Sequence, residues 1–255
     1  MQLTGSVLAA FWIFVICCVA ATIVLVTLPD PEATFGAARL ARLSPDSEGR
    51  RLATEESHGL LDTIRSNAGL LVRLGSGSAL IAALRASRQV VLPLWAVSIG
   101  LSETHTAVII GVAGAVDFAL FYTGGHIMDR FGRLWTAVPS MVGLGLGHLV
   151  LAFTHDVLTR EGWFIAIALF LSLANGIGAG ILMTLGADLA PPGNPAPFLG
   201  AWRFTNDSGG ALAPLAIAAI TAAASLPVAV AVLGVLGFLG SGVLLRYLPR
   251  YSPRP

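Results

Sequence analysis

The chain has 255 residues, of which 55% are hydrophobic and 11% are charged, and its mean hydropathy is +0.80. Soluble domains usually carry about 25% charged residues, so this composition indicates an integral membrane protein. The net charge of +1 lacks the strong basic bias of a nucleic-acid-binding protein, and we expect no nucleic-acid partner.

The residues that could bind metals or form disulfides are few and poorly spaced. Cys17 and Cys18 are adjacent in an apolar run, which excludes a disulfide framework. The five histidines do not have the spacing of metal ligands, so no metal site is predicted. No nucleophile or general base comes together with them, and we expect neither a cofactor nor enzymatic activity.

Residues 5–28 form the first apolar stretch, which exceeds the roughly 20 residues that a transmembrane helix needs. No basic region precedes this stretch, so it predicts a membrane helix rather than a cleaved signal peptide. Residues 29–75 are charged and predict a cytoplasmic linker. Apolar residues recur at near-helical spacing over 55–74, which fits either an amphipathic helix on the membrane surface or a solvated linker with partial helix.

Six further apolar stretches follow and make up a predicted six-helix domain over residues 78–247. Their limits are 78–101, 106–124, 134–154, 162–186, 203–223 and 227–247. The predicted fold class is therefore all-α, a polytopic membrane bundle of seven transmembrane helices within the lipid bilayer. Residues 248–255 form a tail.

Arginine placement predicts how the chain is oriented in the inner (plasma) membrane. One set of alternate loops holds nearly all the arginines outside the spans, whereas the opposite set holds only Arg160. The positive-inside rule then places the N-terminus outside and the linker and C-terminus in the cytoplasm.

A segment between two of these spans carries glycine and charged residues in the spacing G-x-x-x-D-R-x-G-R. The fitting residues are Gly125, Asp129, Arg130, Gly132 and Arg133. The segment predicts a tight polar turn, because non-helical backbone cannot lie in lipid. The spacing resembles the loop signature of the major facilitator superfamily of secondary transporters, and it departs from that signature at Leu134, where a basic residue is usual.

Two other stretches add to this resemblance. Residues 184–192 with 198–203 are similar to the family's loop between its tenth and eleventh helices, although residues 193–196 lack the usual basic residue. Residues 209–214 resemble a degraded Gly-Pro motif of antiporter helices. One span, a long loop and six spans together resemble the C-terminal half of a twelve-helix member, from its sixth to its twelfth helix.

The resemblance implies proton-coupled transport of a small organic solute or drug. The family's path runs between two halves, so the chain would work with a missing N-terminal half or with a second copy. Three explanations of the missing helices stay open: a misplaced start codon, a genuine gene remnant, or a half that pairs. The alternative function is that of a non-transporting membrane fragment acting as a regulatory or assembly partner.

Three charged residues lie inside predicted spans and are the candidates for proton coupling or substrate binding. A charge at the bilayer centre costs at least about 2.5–3.5 kcal/mol, so Asp117 should face a cavity or a partner. Asp117 is interpreted as a proton-coupling or substrate-facing acid, or as an acid paired with arginine for structure. We expect Arg85 and Arg88 to extend towards the cytoplasmic surface. Otherwise Arg88 could bind an anionic substrate group or pair with Asp117.

Charged residues at the span ends are candidates for ion pairs. The spacing of Asp129 and Arg133 allows a pair or a helix cap. The resemblance implies that their segment is a gating loop that holds the cytoplasmic side closed, with a plain topology anchor as the alternative. Arg203 and Asp207 predict a cytoplasmic ion pair with Asp188 as a third member, or interfacial charges only.

Tryptophans near span ends are predicted to be interfacial anchors. They are Trp95, Trp135, Trp163 and Trp202.

Overall fold

The structure, a computed structural model, describes residues 7–27, 60–191 and 195–251. All regular secondary structure in these ranges is helical. The chain divides into two compact units, residues 1–56 and residues 57–255, and each is described by itself.

The first unit contains helix α1 (Val7–Thr27), which coincides with the predicted span at 5–28. The described part of the second unit is a succession of helices joined by short connections. They are α2 (Leu60–Ser66), α3 (Ala68–Ser98), α4 (Glu103–Phe131), α5 (Leu134–Ala152), α6 (Arg160–Leu189), α7 (Ala196–Ala223) and α8 (Leu226–Tyr251).

Five of the described helices are long and apolar enough to cross a membrane, namely α3, α4, α5, α6 and α8. Helix α7 has 28 residues, but Arg203, Asn206 and Asp207 make its first half polar. Each predicted span thus has a helix at its position, while a total of seven crossings stays a prediction.

Two helix boundaries differ from the sequence prediction. Helix α3 begins at Ala68, inside the predicted linker, and runs through a π-helical turn at Leu71–Gly75. Helix α4 continues to Phe131, so most of the segment predicted as a tight turn is helical. Gly132 has φ 93°, in the left-handed region that favours glycine, and this single residue is enough to reverse the chain before α5.

Close packing in the second unit depends on small residues at helix crossings. Helix α5 packs most extensively on α8, α3 packs on α7, and α6 packs on both α5 and α4. A Cβ atom on Gly237 of α8 would lie 2.7 Å from Cα of Gly145 in α5, so these backbones touch directly. Such contacts are how membrane helices gain dispersion energy where lipid provides no hydrophobic drive.

Helix α4 is the exception to this packing. Only 11% of its most apolar window is buried, compared with 39–50% in the other four candidate spans. Its contacts within the described unit are mainly with α6. A large face of α4 is therefore left for lipid or for another protein unit.

Two of the four tryptophans predicted to be interfacial anchors lie in the core instead. Trp95 is 0% exposed and packs edge to face on His155, with 5.2 Å between ring centroids. Trp202 is 3% exposed, and its Nε1 donates to the carbonyl oxygen of Leu182 at 2.8 Å. The indole of Trp202 fills the space that Gly186 leaves open. Trp135 and Trp163 are exposed at helix starts, where anchors are expected.

Neighbouring glycines in α4 provide a test of its contact with α6. A Cβ on Gly124 would lie 2.6 Å from the carbonyl oxygen of Ile177, whereas one on Gly125 would meet nothing within 4 Å. We predict that Gly124→Ala lowers the thermal unfolding midpoint of the purified protein in detergent, because overpacking costs about 1–3 kcal/mol.

Gly125→Ala is the matched control and should leave the midpoint unchanged or raise it, since alanine is favoured over glycine by about 1 kcal/mol in a helix. Equal midpoints for the two variants would contradict the contact.

Candidate functional site

Five polar side chains from three helices meet near the middle of the second unit. They are Arg85 and Arg88 of α3, Asp117 of α4, and Ser172 and Asn175 of α6, and we name them the mid-depth cluster. Asp117 is the middle residue of α4, and Asn175 lies at the centre of α6. The cluster therefore lies about halfway along two helices that are long enough to cross a membrane.

Asp117 is the hydrogen-bond acceptor around which the cluster is built. Its Oδ2 accepts from Nη2 of Arg88 at 2.6 Å, and the two side chains are 20% and 12% exposed. Nδ2 of Asn175 lies 2.9 Å and 2.8 Å from the two carboxylate oxygens. Charge-assisted bonds of this kind are stronger than hydrogen bonds between neutral groups.

The two arginines of α3 point inward, so the expectation that they extend to the cytoplasmic surface is wrong. Nη1 of Arg88 donates to Oγ of Ser172 at 2.7 Å, in addition to its bond with Asp117. Nε of Arg85 donates to Oδ1 of Asn175 at 2.8 Å, and its Nη2 donates to that residue's carbonyl oxygen at 3.1 Å. Arg85 and Arg88 lie too near the centre of α3 for their side chains to reach the membrane surface. Polar groups of α4 and α6 bind the two guanidinium groups in place of water.

Asn175 is the cluster residue that the sequence reasoning missed. Its amide joins Arg85 to Asp117, because the oxygen accepts from the guanidinium and the nitrogen donates to the carboxylate. The available signal was an amide side chain in a span that is otherwise apolar. Ser172, one helical turn earlier, shares the face of α6 that meets α3.

Helix α6 is interrupted next to the cluster, between Arg160–Ile177 and Ile181–Leu189. The interruption ends at Gly180, whose φ of 79° suits glycine. Helix α4 continues through Leu120, whose N–H donates to Val116 and whose carbonyl oxygen accepts from Gly124. Discontinuous helices at the midplane are where transporters build substrate and ion sites.

A buried histidine lies beside the cluster. His148 of α5 is 0% exposed, and its Nε2 is 3.0 Å from Oγ of Ser87, the residue before Arg88. Its Nδ1 is 2.7 Å from the carbonyl oxygen of Leu144, to which it must donate. In the described residues, no three acidic, histidine or cysteine side chains gather as metal ligands would.

A second polar group ties the turn between α4 and α5 to the end of α6. Nε of Arg133 donates to Oδ2 of Asp188 at 2.8 Å, and Nη1 of Arg133 lies 3.5 Å from Oδ1 of Asp129. The hydrogen bond with Asp188 raises the pKa of Arg133 above its ordinary value, which keeps the guanidinium charged. Arg130 lies beside the ring of Phe131, 5.5 Å from its centroid, rather than in this ion pair.

The predicted group of Asp188, Arg203 and Asp207 does not form as expected. Arg203 pairs with Asp207 along α7, with Nε to Oδ2 at 3.2 Å and both side chains more than half exposed. Asp188 pairs with Arg133 instead, and those two side chains are only 23% and 20% exposed. The reason is that Asp188, at the end of α6, points towards the α4–α5 turn, which places its carboxylate next to Arg133.

Residues 3–214 and residues 74–255 each match the sequence profile of the Major Facilitator Superfamily. The chain belongs to the major facilitator superfamily. No curated protein matches the chain. As a facilitator, it is a multi-pass membrane protein of a family of secondary transporters.

A double-mutant cycle measures how strongly Arg133 and Asp188 hold the turn. We predict that Arg133→Gln and Asp188→Asn are coupled by about 1 kcal/mol in thermal unfolding, because the pair is partly shielded from water. The same cycle with Arg203→Gln and Asp207→Asn should give about 0.3–0.5 kcal/mol, as for exposed helix pairs four residues apart. A coupling at Arg133 no larger than that at Arg203 would contradict the assigned geometry.

Proposed function

We propose that the chain moves a small organic solute, such as a drug or metabolite, in a step coupled to a proton, and that Asp117 carries the proton. The carrying observation is a carboxylate at the middle of α4 that is paired with Arg88 and still 20% exposed. An ionisable residue at that depth is costly unless it has a function or a partner. Here the partner is the guanidinium group of Arg88, which can pair with another anion when Asp117 is protonated.

The geometry supports a specific order of events. With Asp117 ionised, Arg88 and Asn175 hold the carboxylate and bridge α3, α4 and α6. A proton on the carboxyl removes the ion pair, so Arg88 loses its counter-ion and the bridge weakens. The interruption of α6 before Ile181 lies next to that bridge, where a loss of contact would change how the helix segments pack.

We propose that the cytoplasmic side of the bundle is the one that carries the α4–α5 turn, with the N-terminus of α1 outside. Arg130, Arg133 and Arg246 at this end support this orientation, whereas Arg160 lies at the other end. The pair of Arg133 with Asp188 would hold the turn against α6 in one state of the transport cycle. Its low exposure supports such a gating role more than that of a plain topology anchor.

We also propose that the six-helix unit works against a second unit, either an N-terminal half or another copy of the chain. Facilitators place their path between two such units. Only 11% of the most apolar window of α4 is buried, which supports a contact between that helix and a second unit.

The test uses the full chain reconstituted in liposomes that contain a trapped pH indicator. A panel of organic anions, cations and neutral solutes is added outside, and the internal pH is followed together with exchange of labelled solute. We predict that Asp117→Asn abolishes solute-driven proton movement, because an amide cannot take up the proton, while solute exchange and expression persist.

Asp156→Asn is the matched control, since it makes the same chemical change at a side chain that is 96% exposed. Proton movement in Asp117→Asn equal to that of the wild-type chain would sink the assignment of Asp117. No response of the wild-type chain to any solute would instead show that the chain does not transport by itself, as expected both for the non-transporting alternative and for a unit that needs an N-terminal half.

A further inference from the structure

We infer that the substrate is an organic anion, and that Arg85 binds its acidic group while Arg88 alternates between that group and Asp117. This inference rests on the proposed transport function and adds to it the charge of the substrate. It follows from the balance of charges in the mid-depth cluster.

The cluster has two guanidinium groups and one carboxylate. The carboxylate of Asp117 is already paired with Arg88 at 2.6 Å. Arg85 donates to neutral groups of Asn175 only, and among the described residues no carboxylate lies within ion-pair distance of it. One positive charge is therefore left without a counter-ion at mid-depth.

The helices around the cluster do not compensate this charge. Helix α6 contributes the neutral Ser172 and Asn175, and α5 contributes His148, which is bonded to Ser87 and a carbonyl. Helix α7 faces α3 with Gly210, near Ala82 and Ala86. Its charged pair, Arg203 with Asp207, lies in the first half of that helix, and both side chains are more than half exposed.

The unfilled bonding capacity of the arginines fits an oxyanion. Among the described residues, Nη1 of Arg85 has no hydrogen-bond partner, and Nε of Arg88 is buried without one. Guanidinium groups bind carboxylate, sulfonate and phosphate by parallel hydrogen bonds, and a desolvated charge needs such a partner. A neutral or cationic solute would leave the extra charge uncompensated.

Proton and anion binding should reinforce each other at this site. When Asp117 takes up a proton, Arg88 also lacks a counter-ion, and two guanidinium groups then face the anion. The proton adds one positive charge and the anion adds one negative charge, so the charge of the cluster is conserved. Linkage requires that each ligand raises the affinity for the other by the same factor.

The acidic group could belong to a soluble solute or to a lipid headgroup, and the experiment separates the two. The full chain is placed in nanodiscs of phosphatidylcholine, and binding is measured by equilibrium dialysis. The probe is radiolabelled benzenesulfonate, which stays anionic at every pH used. Benzenesulfonamide is the neutral probe of similar shape, and phenyltrimethylammonium is the cationic one.

We expect benzenesulfonate to bind the wild-type chain at least about tenfold more tightly than either other probe, as charge-assisted bonds imply. Arg85→Gln should weaken this binding by about tenfold or more, and Arg85→Lys should weaken it less because it keeps the charge. Arg246→Gln removes a charge from the exposed end of α8 and is the matched control, which should bind like the wild-type chain.

Asp117→Asn gives a result that loss of folding cannot imitate. It should bind benzenesulfonate more tightly than the wild-type chain at pH 7.5, because the amide resembles the protonated acid and frees Arg88. Wild-type affinity should rise by up to about tenfold per pH unit as the pH falls, the limit for one linked proton. The affinity of Asp117→Asn should not follow pH.

Equal binding of the sulfonate and the sulfonamide, or unchanged binding in Arg85→Gln, would overturn the inference. So would phosphatidylglycerol that co-purifies with the wild-type chain but not with Arg85→Gln, because the occupant would then be a lipid. Failure here is distinct from failure of the transport function. Proton-coupled movement of neutral solutes without sulfonate binding leaves transport standing, whereas sulfonate binding without any solute movement supports the anion site and shows that this chain does not transport by itself.

Discussion

The contact between Arg88 and Asp117 is the constraint on which the second unit depends. Lipid offers neither group a partner, so each charge is tolerable at mid-depth only because the other lies 2.6 Å away. Asn175 extends the pair to a third helix, and the cluster thereby fixes how α3, α4 and α6 meet. The same contact makes the site sensitive to any ion that binds there, because a change at one charge alters the balance at the other.

Much of the fold could be predicted because transmembrane helices are recognised in a sequence by their length and hydropathy. The apolar stretches gave each helix of the bundle its position, and the signature from Gly125 to Arg133 indicated the family to which the chain belongs. The ends of the helices were harder to predict, because hydropathy indicates which residues face lipid and not where helical hydrogen bonding stops. Helix α3 therefore begins at Ala68 within charged sequence, and α4 reaches Phe131.

The site was predictable only in part. Charges are rare in membrane spans, and this identified Asp117, Arg85 and Arg88 as candidates. The direction in which each side chain points could not be predicted, because it depends on which helix lies opposite. Asn175 carries no charge, so its role depends on α6 meeting both other helices at the same depth. Asp188 pairs with Arg133 across a long separation in sequence, which a search for charges four residues apart cannot detect.

The weak burial of α4 has a consequence for how the unit opens. Only 11% of the most apolar window of α4 is buried, so few apolar side-chain contacts hold it to its neighbours. In contrast, α5 and α8 share direct backbone contacts at Gly145 and Gly237. Local opening free energies follow such differences in burial. Separation of α4 would nevertheless leave the charges of Arg88 and Asp117 unpaired, so this ion pair, rather than apolar packing, sets the cost of moving α4 away from the scaffold of α5 and α8.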